Sequence, residues 1–480
     1  MKRSRRIIIW IIGLLSVPLL AVVLTAYAFM HEFYPSPPRP NYPQAHDAAT
    51  AQRQDFDYFT RYLDLNRAYS PQARAEALRL LSQYRARAGE LSPTQFDLAI
   101  ARMVALADNG HSQVSYWRLA RQHNRLPCRL YHFADGYRVI RARPACSGLL
   151  GAKLIALDGH PIKEVADRMF IYVGGPRNHY DQFASLFLLE SPQLLAAAGL
   201  ASAADRLTLH VALRDGSQGD FEIPADPADP QAPDDYASAY ADQYLSPEPI
   251  DKEPNDWQPL LAKDAKLPVF LRAYQIPFRS EYWPDRRMYY IQLRSNADEP
   301  GHPLAEFLAQ VKHEIIADRP RFIVLDLRLD QGGNLTKTSS FMENVSQLSD
   351  SIEHVYTLTS AWTFSAGETS VALVRRHGGK KVTLIGDPVG DRMHFWGEGG
   401  NLVLPNSRLQ MRFATGLHDY ARPCWDEKGC FWILYFIPTG VPDLNPDIRV
   451  PYTFDDYASL RDPLLERALE LASRVNNASP

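Results

Sequence analysis

The chain has 480 residues, of which 46% are hydrophobic and 22% are charged. This length exceeds a single typical domain core and predicts two or three domains. The formal net charge of -3 provides no basic field that would bind a nucleic-acid backbone, so nucleic acid is not an expected partner.

The N-terminus carries an uncharged, apolar run at residues 7–30, and four of the six residues before it are basic. The run is long enough to cross a bilayer, and the basic residues predict that the rest of the chain lies outside the cytoplasm, in the periplasm or the extracellular space. Ala26-Tyr27-Ala28 also offers a cleavage site, so a removed signal peptide is the alternative to a retained anchor. Residues 1–30 are therefore expected as anchor or signal, followed by a proline-rich, extended spacer at 31–46.

Four cysteines form two local pairs along the sequence. Cys128 and Cys146 flank a predicted hairpin, while Cys424 and Cys430 lie in one polar loop. We expect two disulfides, which would suit an oxidising compartment, and buried free thiols are the alternative. The cysteines lack the spacing of zinc ligands, so no metal site is expected.

Residues 47–120 are predicted to form a helical N-terminal domain. Ser70-Pro71 and Ser92-Pro93 each place a capping residue before a proline, which is typical of a helix start. Gln95 completes a capping box with Ser92. Asp108-Asn109-Gly110 ends the second helix and leaves His111 just beyond it.

The pattern then changes twice. Short strands, such as the one at residues 153–157, are separated by turns over 125–225, which predicts a small β domain. Residues 226–262 are rich in Pro, Asp and Ala and are expected as a linker. Over 263–480, predicted strands at 288–293 and 322–327 alternate with a helix at 304–315, which indicates an α/β domain.

Two short segments of this last domain could carry chemistry. The strand at 322–327 ends in a turn with adjacent Gly332 and Gly333, whose backbone N–H groups can face a ligand. Ser365 follows the next predicted strand and begins a helix, where free N–H groups can hold the oxygen of a tetrahedral intermediate. Alternatively, Ser365 forms a capping box with Glu368, in which its hydroxyl only caps the helix.

Taken together, Asp-Leu-Arg-x-x-x-Gly-Gly at 326–333 and Ser-Ala-x-Glu at 365–368 resemble the signature of the tail-specific, or C-terminal-processing, serine peptidases. The resemblance implies an α/β fold with a Clp protease/crotonase-like superhelical core, an N-terminal helical segment and a PDZ-like β domain, to which residues 151–162 are similar. It implies Ser365 as nucleophile, with Gly332 or Gly333 and Ala366 as the oxyanion hole. The implied substrate is a protein or peptide with a flexible end, and no cofactor is implied.

The general base departs from the better-known pattern of this family. Those members place a lysine where this chain has Gly390-Asp391-Arg392, and an arginine cannot act as a base. The tricorn-like branch uses a histidine after the N-terminal helices, and His111 is similar to it. That branch also has a glutamate before a closing Pro-Asp, where Asp443 is the nearest acid here. His394 is the second candidate for the base, and a purely structural role is the alternative for both histidines.

Two rival functions remain. A non-catalytic peptide- or ligand-binding protein could use the same scaffold, since the family lysine is absent. An acyl-CoA enzyme could use a crotonase-like oxyanion hole. However, export would separate it from CoA, and Ser365 would have no role in its reaction. The oligomeric state is not predicted.

Overall fold

The structure is a computed structural model that describes residues 19–231, 241–250 and 252–478. Residues 1–18, which hold most of the predicted anchor or signal, lie outside the described residues, as do 232–240 and 251 of the predicted linker. Residues 19–33 form a helix. Within the described ranges, no helix combines the length and the apolar character needed to cross a bilayer.

The secondary structure alternates between helical and β regions along the chain. The labelled helices are α1 Ala48–Leu65, α2 Pro71–Ala86, α3 Pro93–Ala105, α4 Tyr116–Gln122, α5 Ile162–Phe170, α6 Arg177–His179, α7 Ser185–Leu189, α8 Pro192–Ala197, α9 Leu304–Asp318, α10 Leu335–Asn344, α11 Ala366–Gly378, α12 Phe454–Ala458 and α13 Pro463–Ala478. The strands are β1 Gln113–Val114, β2 Cys128–Phe133, β3 Gly136–Ala142, β4 Lys153–Leu157, β5 His160–Pro161, β6 Arg206–Ala212, β7 Gln218–Pro224, β8 Gln258–Pro259, β9 Phe278–Trp283, β10 Met288–Leu293, β11 Phe322–Asp326, β12 His354–Thr359, β13 Val382–Gly386, β14 His394–Gly397, β15 Gly400–Val403, β16 Gln410–Phe413, β17 Gly416–Asp419 and β18 Ile448–Arg449.

Local signals account for the starts of the helices before His111. The Ser70 side chain accepts a hydrogen bond from the Ala73 N–H at 3.1 Å, and the proline of α2 follows it directly. Ser92 and Gln95 form the predicted capping box at the start of α3. Both helices begin where the serine-proline pairs predict.

An antiparallel sheet occupies the region between the helices and the last domain. Its strand order is β2-β3-β4-β6-β7, with β5 paired to β4 and β8 paired to β3. In β6, Leu207, Leu209 and Val211 are buried while the residues between them are half-buried, which is the period-two pattern of a sheet with one covered face. This sheet accounts for the short strands predicted over 125–225.

A six-stranded sheet forms the centre of the C-terminal half, in the order β18-β13-β12-β11-β10-β9. All neighbouring pairs are parallel except β9 and β10. Every residue of β11 is buried, because α9, α10 and α11 pack on one face and α13 packs on the other. The mixed α/β fold predicted for this half is therefore confirmed.

Two smaller sheets bring distant parts of the chain together. β1 pairs with β16, so that Gln113 lies opposite Arg412, and β15 continues this sheet. β14 pairs with β17. Since β1 begins two residues after His111, its pairing with β16 carries that histidine to the C-terminal half.

One of the two expected disulfides is present. Cys424 and Cys430 are bonded, whereas Cys128 and Cys146 are free, buried thiols, so the prediction of a second disulfide is wrong. A hydrogen bond between the two free thiols, together with burial, raises the pKa of Cys128 well above its usual value. A buried, neutral thiol lacks the thiolate character that disulfide exchange requires.

Candidate active site

Ser365 stands at the N-terminus of α11 in a conformation that few non-glycine residues adopt. Its φ is 55° and its ψ is -121°, and its side chain does not cap the helix. The turn is held by the Phe364 N–H, which donates to the Asp330 carbonyl at 2.9 Å, and by the Gly390 N–H, which donates to the Thr363 carbonyl at 2.8 Å. Backbone strain of this kind concentrates at functional positions. The capping-box alternative for the hydroxyl is not realised.

The two glycines after β11 have different roles. The Gly332 N–H donates to Asp330 Oδ1 at 3.0 Å, and a Cβ at Gly332 would lie 2.7 Å from that of Ser365. Gly332 therefore allows its own turn to approach the turn at Ser365 closely. Its N–H is already bonded to Asp330 and is not available to an oxyanion. Within the described part of the chain, the N–H groups of Gly333 and Ala366 have no hydrogen-bond acceptor. These two amides are the available oxyanion donors.

The Asp330 carboxyl group holds the glycine turn by accepting the hydrogen bond from the Gly332 N–H. Its side chain is fully buried, and burial raises its pKa. The Asn296 amide, oriented with its nitrogen toward this carboxyl group, lies 2.6 and 2.7 Å from the two oxygens. Hydrogen bonds from Asn296 and Gly332 offset the burial of the carboxyl group and hold the loop in one geometry.

His111 is buried in an aromatic stack. Its ring lies 4.5 Å from that of Phe364 and 5.2 Å from that of Phe395, measured between centroids, with both pairs stacked. Nδ1 lies 3.4 Å from Asp391 Oδ2, and Nε2 has no hydrogen-bond partner among the described residues. Burial lowers the pKa of His111, and the Asp391 carboxylate partly opposes that shift. The imidazole is therefore held neutral, as a base must be before it accepts a proton.

Asp391 is the site residue that sequence reasoning missed, because its position was treated only as that of an absent lysine. Its side chain is almost fully buried, and its N–H donates a short hydrogen bond to the Glu368 carboxyl group. Burial, followed by the charge of Asp391, raises the pKa of Glu368 well above its usual value. The sequence offered two signals, namely an acid at position 391 and a glycine at position 110. The structure explains the glycine, because a Cβ at Gly110 would lie 2.8 Å from Asp391 Oδ2.

A cavity of about 270 Å³ is lined by Ser365 and His111. Arg412 brings a positive charge to its wall, and His179 stacks on Phe364 at 4.4 Å. Burial lowers the pKa of His179 to about 4. The lining residues are Gly110, His111, Gln113, Trp117, His179, Gln331, Gly333, Trp362, Phe364, Ser365 and Arg412. The cavity therefore joins Ser365, His111 and an oxyanion donor.

Two predicted site residues lie elsewhere. Asp443 Oδ1 is 3.7 Å from Arg375 in the last turn of α11, about 13 Å along the helix axis from Ala366. His394 is half exposed and lies 3.6 Å from Glu427. Neither residue lines the cavity with Ser365. The structure brings together Ser365, His111, Gly333 and Ala366, and it does not bring Asp443 to them.

One group of side chains has the composition of a metal site. Ligand atoms of His394, Asp419 and Glu427 lie within 4.8 Å of one another. However, Arg422 makes ion pairs with both carboxylates and already supplies the positive charge that a cation would bring. We assign no metal to this group.

The fold is similar to that of known peptidases, although the sequence is distant from them. A scan of protein-family models found no match, and no curated protein matches the sequence. Mature CPAF has a TM-score of 0.54 at 13% identity, covering 90% of this chain and 99% of CPAF. A serine-to-alanine mutant of CPAF has a TM-score of 0.55 at 11% identity with the same coverage. The tricorn protease has a TM-score of 0.38 at 13% identity, covering 91% of this chain and 38% of its own.

CPAF is a serine peptidase of the tail-specific family, which is the family that the two sequence motifs resemble. The chain therefore has the mixed α/β fold of CPAF along nearly its whole length.

Proposed function

We propose, from the fold that this chain shares with CPAF, that it is a serine peptidase that cleaves proteins or peptides through an acyl-enzyme on Ser365. The observation that carries the proposal is the cavity in which Ser365 and the buried imidazole of His111 meet the Gly333 amide, which has no acceptor among the described residues. A strained serine, a neutral base and free backbone donors are the parts that acyl transfer requires.

Each group has a defined step. Ser365 Oγ attacks the carbonyl carbon of the scissile bond while its proton moves to His111 Nε2, and the oxyanion accepts hydrogen bonds from the Gly333 and Ala366 N–H groups. The C–N bond then breaks as His111 returns the proton to the leaving amine. Water attacks the resulting ester with the same histidine as base, and the proton returns to Ser365 Oγ.

Asp391 is the proposed orienting acid in place of Asp443. Its carboxylate faces Nδ1 of His111 at 3.4 Å, which leaves Nε2 for Ser365 and stabilises the imidazolium during proton transfer. Asp391 takes this position because Gly110 has no side chain to exclude it. The missing family lysine is thus replaced by an acid that supports a histidine.

We propose the finer architecture as well. The core is Clp protease/crotonase-like, with an N-terminal helical domain at 47–120, a PDZ-like domain at 125–225 and a catalytic domain at 263–480. The sheet edge formed by β7 is largely exposed and could receive a substrate end as an added strand. The flexible end of a protein or peptide is therefore the proposed substrate.

Location outside the cytoplasm is also a proposal. It is supported by the apolar run at 7–30 with basic residues before it, and by the Cys424–Cys430 disulfide, which suits an oxidising compartment. The segment would either anchor the chain in the membrane or be removed as a signal peptide.

Fluorophosphonate labelling of the full chain tests the mechanism. The wild type is expected to react with the reagent, Ser365→Ala to lose the label, and His111→Ala to react about 10²- to 10⁴-fold more slowly. His394→Ala is the matched control and should react at the wild-type rate. Labelling that persists in Ser365→Ala, or that depends on His394 more than on His111, would contradict the assignment.

The rival function is a non-catalytic peptide-binding protein on the same scaffold, which the absence of the family lysine favours. Mass spectrometry of peptides incubated with the chain separates the two functions. New termini that vanish in Ser365→Ala support the peptidase, whereas peptides that bind and stay intact support the rival.

A further inference from the structure

The exposed aromatic residues of the C-terminal half are concentrated in one loop. Trp425 is 62% exposed, Phe436 is 82% exposed, and Tyr435, which precedes Phe436, has its ring 6.5 Å from that of Trp425. We call Trp425, Tyr435 and Phe436 the aromatic patch. Large apolar side chains rarely gather on a surface unless something covers them.

A disulfide and two buried side chains support the backbone that carries the aromatic patch. The Cys424–Cys430 disulfide closes the loop that carries Trp425, and Phe431 and Leu434 are buried under the turn that carries Tyr435. The patch is therefore a built surface of the molecule.

The N-terminal helix meets the protein body at the same place. The rings of Phe29 and Phe33 lie between 5.1 and 6.0 Å from those of Phe431 and Trp432. The Phe33 carbonyl accepts hydrogen bonds from the Thr415 hydroxyl at 2.6 Å and from the Gly399 N–H at 3.0 Å. The end of the helix is thus fixed beside the aromatic patch.

The remainder of the helix at 19–33 is apolar and exposed. Its uncovered side chains are Leu19, Leu20, Val22, Val23, Leu24, Tyr27 and Met30. Before it lie residues 1–18, with an apolar run that begins at Ile7 and basic residues before that. The chain that leaves the body at the patch therefore has the composition of a segment that enters lipid.

We infer that the aromatic patch lies in the headgroup layer of the membrane from which the N-terminal segment emerges. Tryptophan and tyrosine are enriched at this depth, because their rings are apolar while their polar atoms remain hydrated. Lys428 is exposed in the same loop, but Asp426 is exposed beside it, so aromatic partitioning and not charge drives the contact. The inference rests on the proposed anchoring by the N-terminal segment and adds a second contact that fixes orientation.

The contact of the aromatic patch with the membrane would also set the distance of the candidate active site from the membrane surface. Phe33 and Phe431 pack in one cluster with Leu335 and with Ala366, the residue that follows Ser365. The oxyanion donor is thus joined by side-chain packing to the surface that faces lipid. Substrate ends that extend from the membrane surface would lie closest to this site.

Depth-dependent electron paramagnetic resonance of the full chain in phosphatidylcholine/phosphatidylglycerol nanodiscs tests the inference. A nitroxide is attached through Phe436→Cys, and the native cysteines do not compete because two are buried and two are bonded. Ile316→Cys, which is 50% exposed on α9, carries the matched control label. We expect a several-fold higher ratio of oxygen to nickel-complex accessibility at 436 than at 316, unaffected by salt. Trp425→Glu should lower the ratio at 436.

Three results would overturn the inference. Equal, water-like accessibility at both labels in a chain that still floats with lipid vesicles would refute the patch contact and leave the anchoring intact. Dipolar broadening at 436 that disappears on dilution with unlabelled chain, without oxygen accessibility, would assign the patch to a second copy. Loss of flotation by the unlabelled chain would refute the anchoring itself, while fluorophosphonate labelling of Ser365 reports independently on the peptidase.

Discussion

At the scale of single residues, the candidate site is defined by an acid that local sequence does not reveal. Asp391 is buried and faces His111, while Asp443 is paired with Arg375 at the other end of α11. Asp443 is the acid nearest in sequence to the closing Pro-Asp, but Asp391 is the acid that lies beside His111, because the loop after β13 folds back over the start of α11.

The roles of the two acids can be separated by substitution. We expect Asp391→Asn to lower kcat about 10²- to 10⁴-fold, because the amide cannot stabilise the imidazolium. Asp443→Asn, the matched control, should retain wild-type kcat because its partner Arg375 lies at the end of α11 away from Ser365. Steady-state cleavage of a fluorogenic peptide measures both variants. Equal losses in the two variants would contradict the assignment.

The pH dependence of the reaction follows from the environment of His111. Burial lowers its pKa below the usual 6.5, so the imidazole stays neutral, and kcat/KM should hold until the pH falls below 6.5. The Asp391 carboxylate raises that pKa, so Asp391→Asn should move the acid limb of the profile to lower pH. Profiles of kcat/KM from pH 4 to 8 measure both shifts. An acid limb that moves to higher pH in Asp391→Asn would contradict this arrangement.

At the scale of elements, the site depends on two turns that contact each other without side chains. Gly332 lies against Ser365 at the start of α11, and Gly110 lies against Asp391 in the loop after β13. A methyl group at either glycine would separate parts of the site that the flanking elements hold in place.

Gly110→Ala tests the second turn. The added Cβ would lie 2.8 Å from Asp391 Oδ2 and about 3.0 Å from the Phe364 ring, so we expect a tenfold or greater loss of kcat with the fold retained. Gly148→Ala is the matched control, because the space around that glycine is open. Peptide cleavage and circular dichroism together give the result. Wild-type activity in Gly110→Ala would show that Asp391 is not required beside His111.

At the scale of the whole molecule, a buried ion network ties the central sheet to the C-terminal helix. Arg328 follows β11 and lies 3.0 Å from Asp326 and 2.7 Å from Asp462, just before α13. Its guanidinium also lies 4.2 Å from the centre of the Phe270 ring. The arginine of the first motif thus has a structural role.

Removing that arginine should destabilise the fold. We expect Arg328→Met to lower the free energy of unfolding by about 3–5 kcal/mol, because two buried carboxylates lose their countercharge. Arg461→Met, which removes an exposed ion pair with Glu466, should change it by less than about 1 kcal/mol. Urea denaturation followed by fluorescence compares the two variants. Equal changes would contradict a network that joins sheet and helix.

The sequence predicts much of this fold, because many elements carry local signals. The serine-proline starts of α2 and α3 and the apolar runs of β10 and β11 depend only on neighbouring residues. The contact between His111 and Asp391 depends instead on long-range contacts, namely the pairing of β1 with β16 and of Asp108 with Arg392, across almost 300 residues of sequence. The free thiols of Cys128 and Cys146 likewise follow from tertiary packing, which spacing does not encode.

That long-range pairing has a consequence for the timing of activity. β1, which begins two residues after His111, is fixed in place only after β16 has been synthesised and has paired with it. A chain that is threaded N-terminus first through an export channel would therefore carry its serine in an inert form for most of the passage. The order of the sequence would thus delay the assembly of the proposed reactive centre until most of the chain has crossed the membrane.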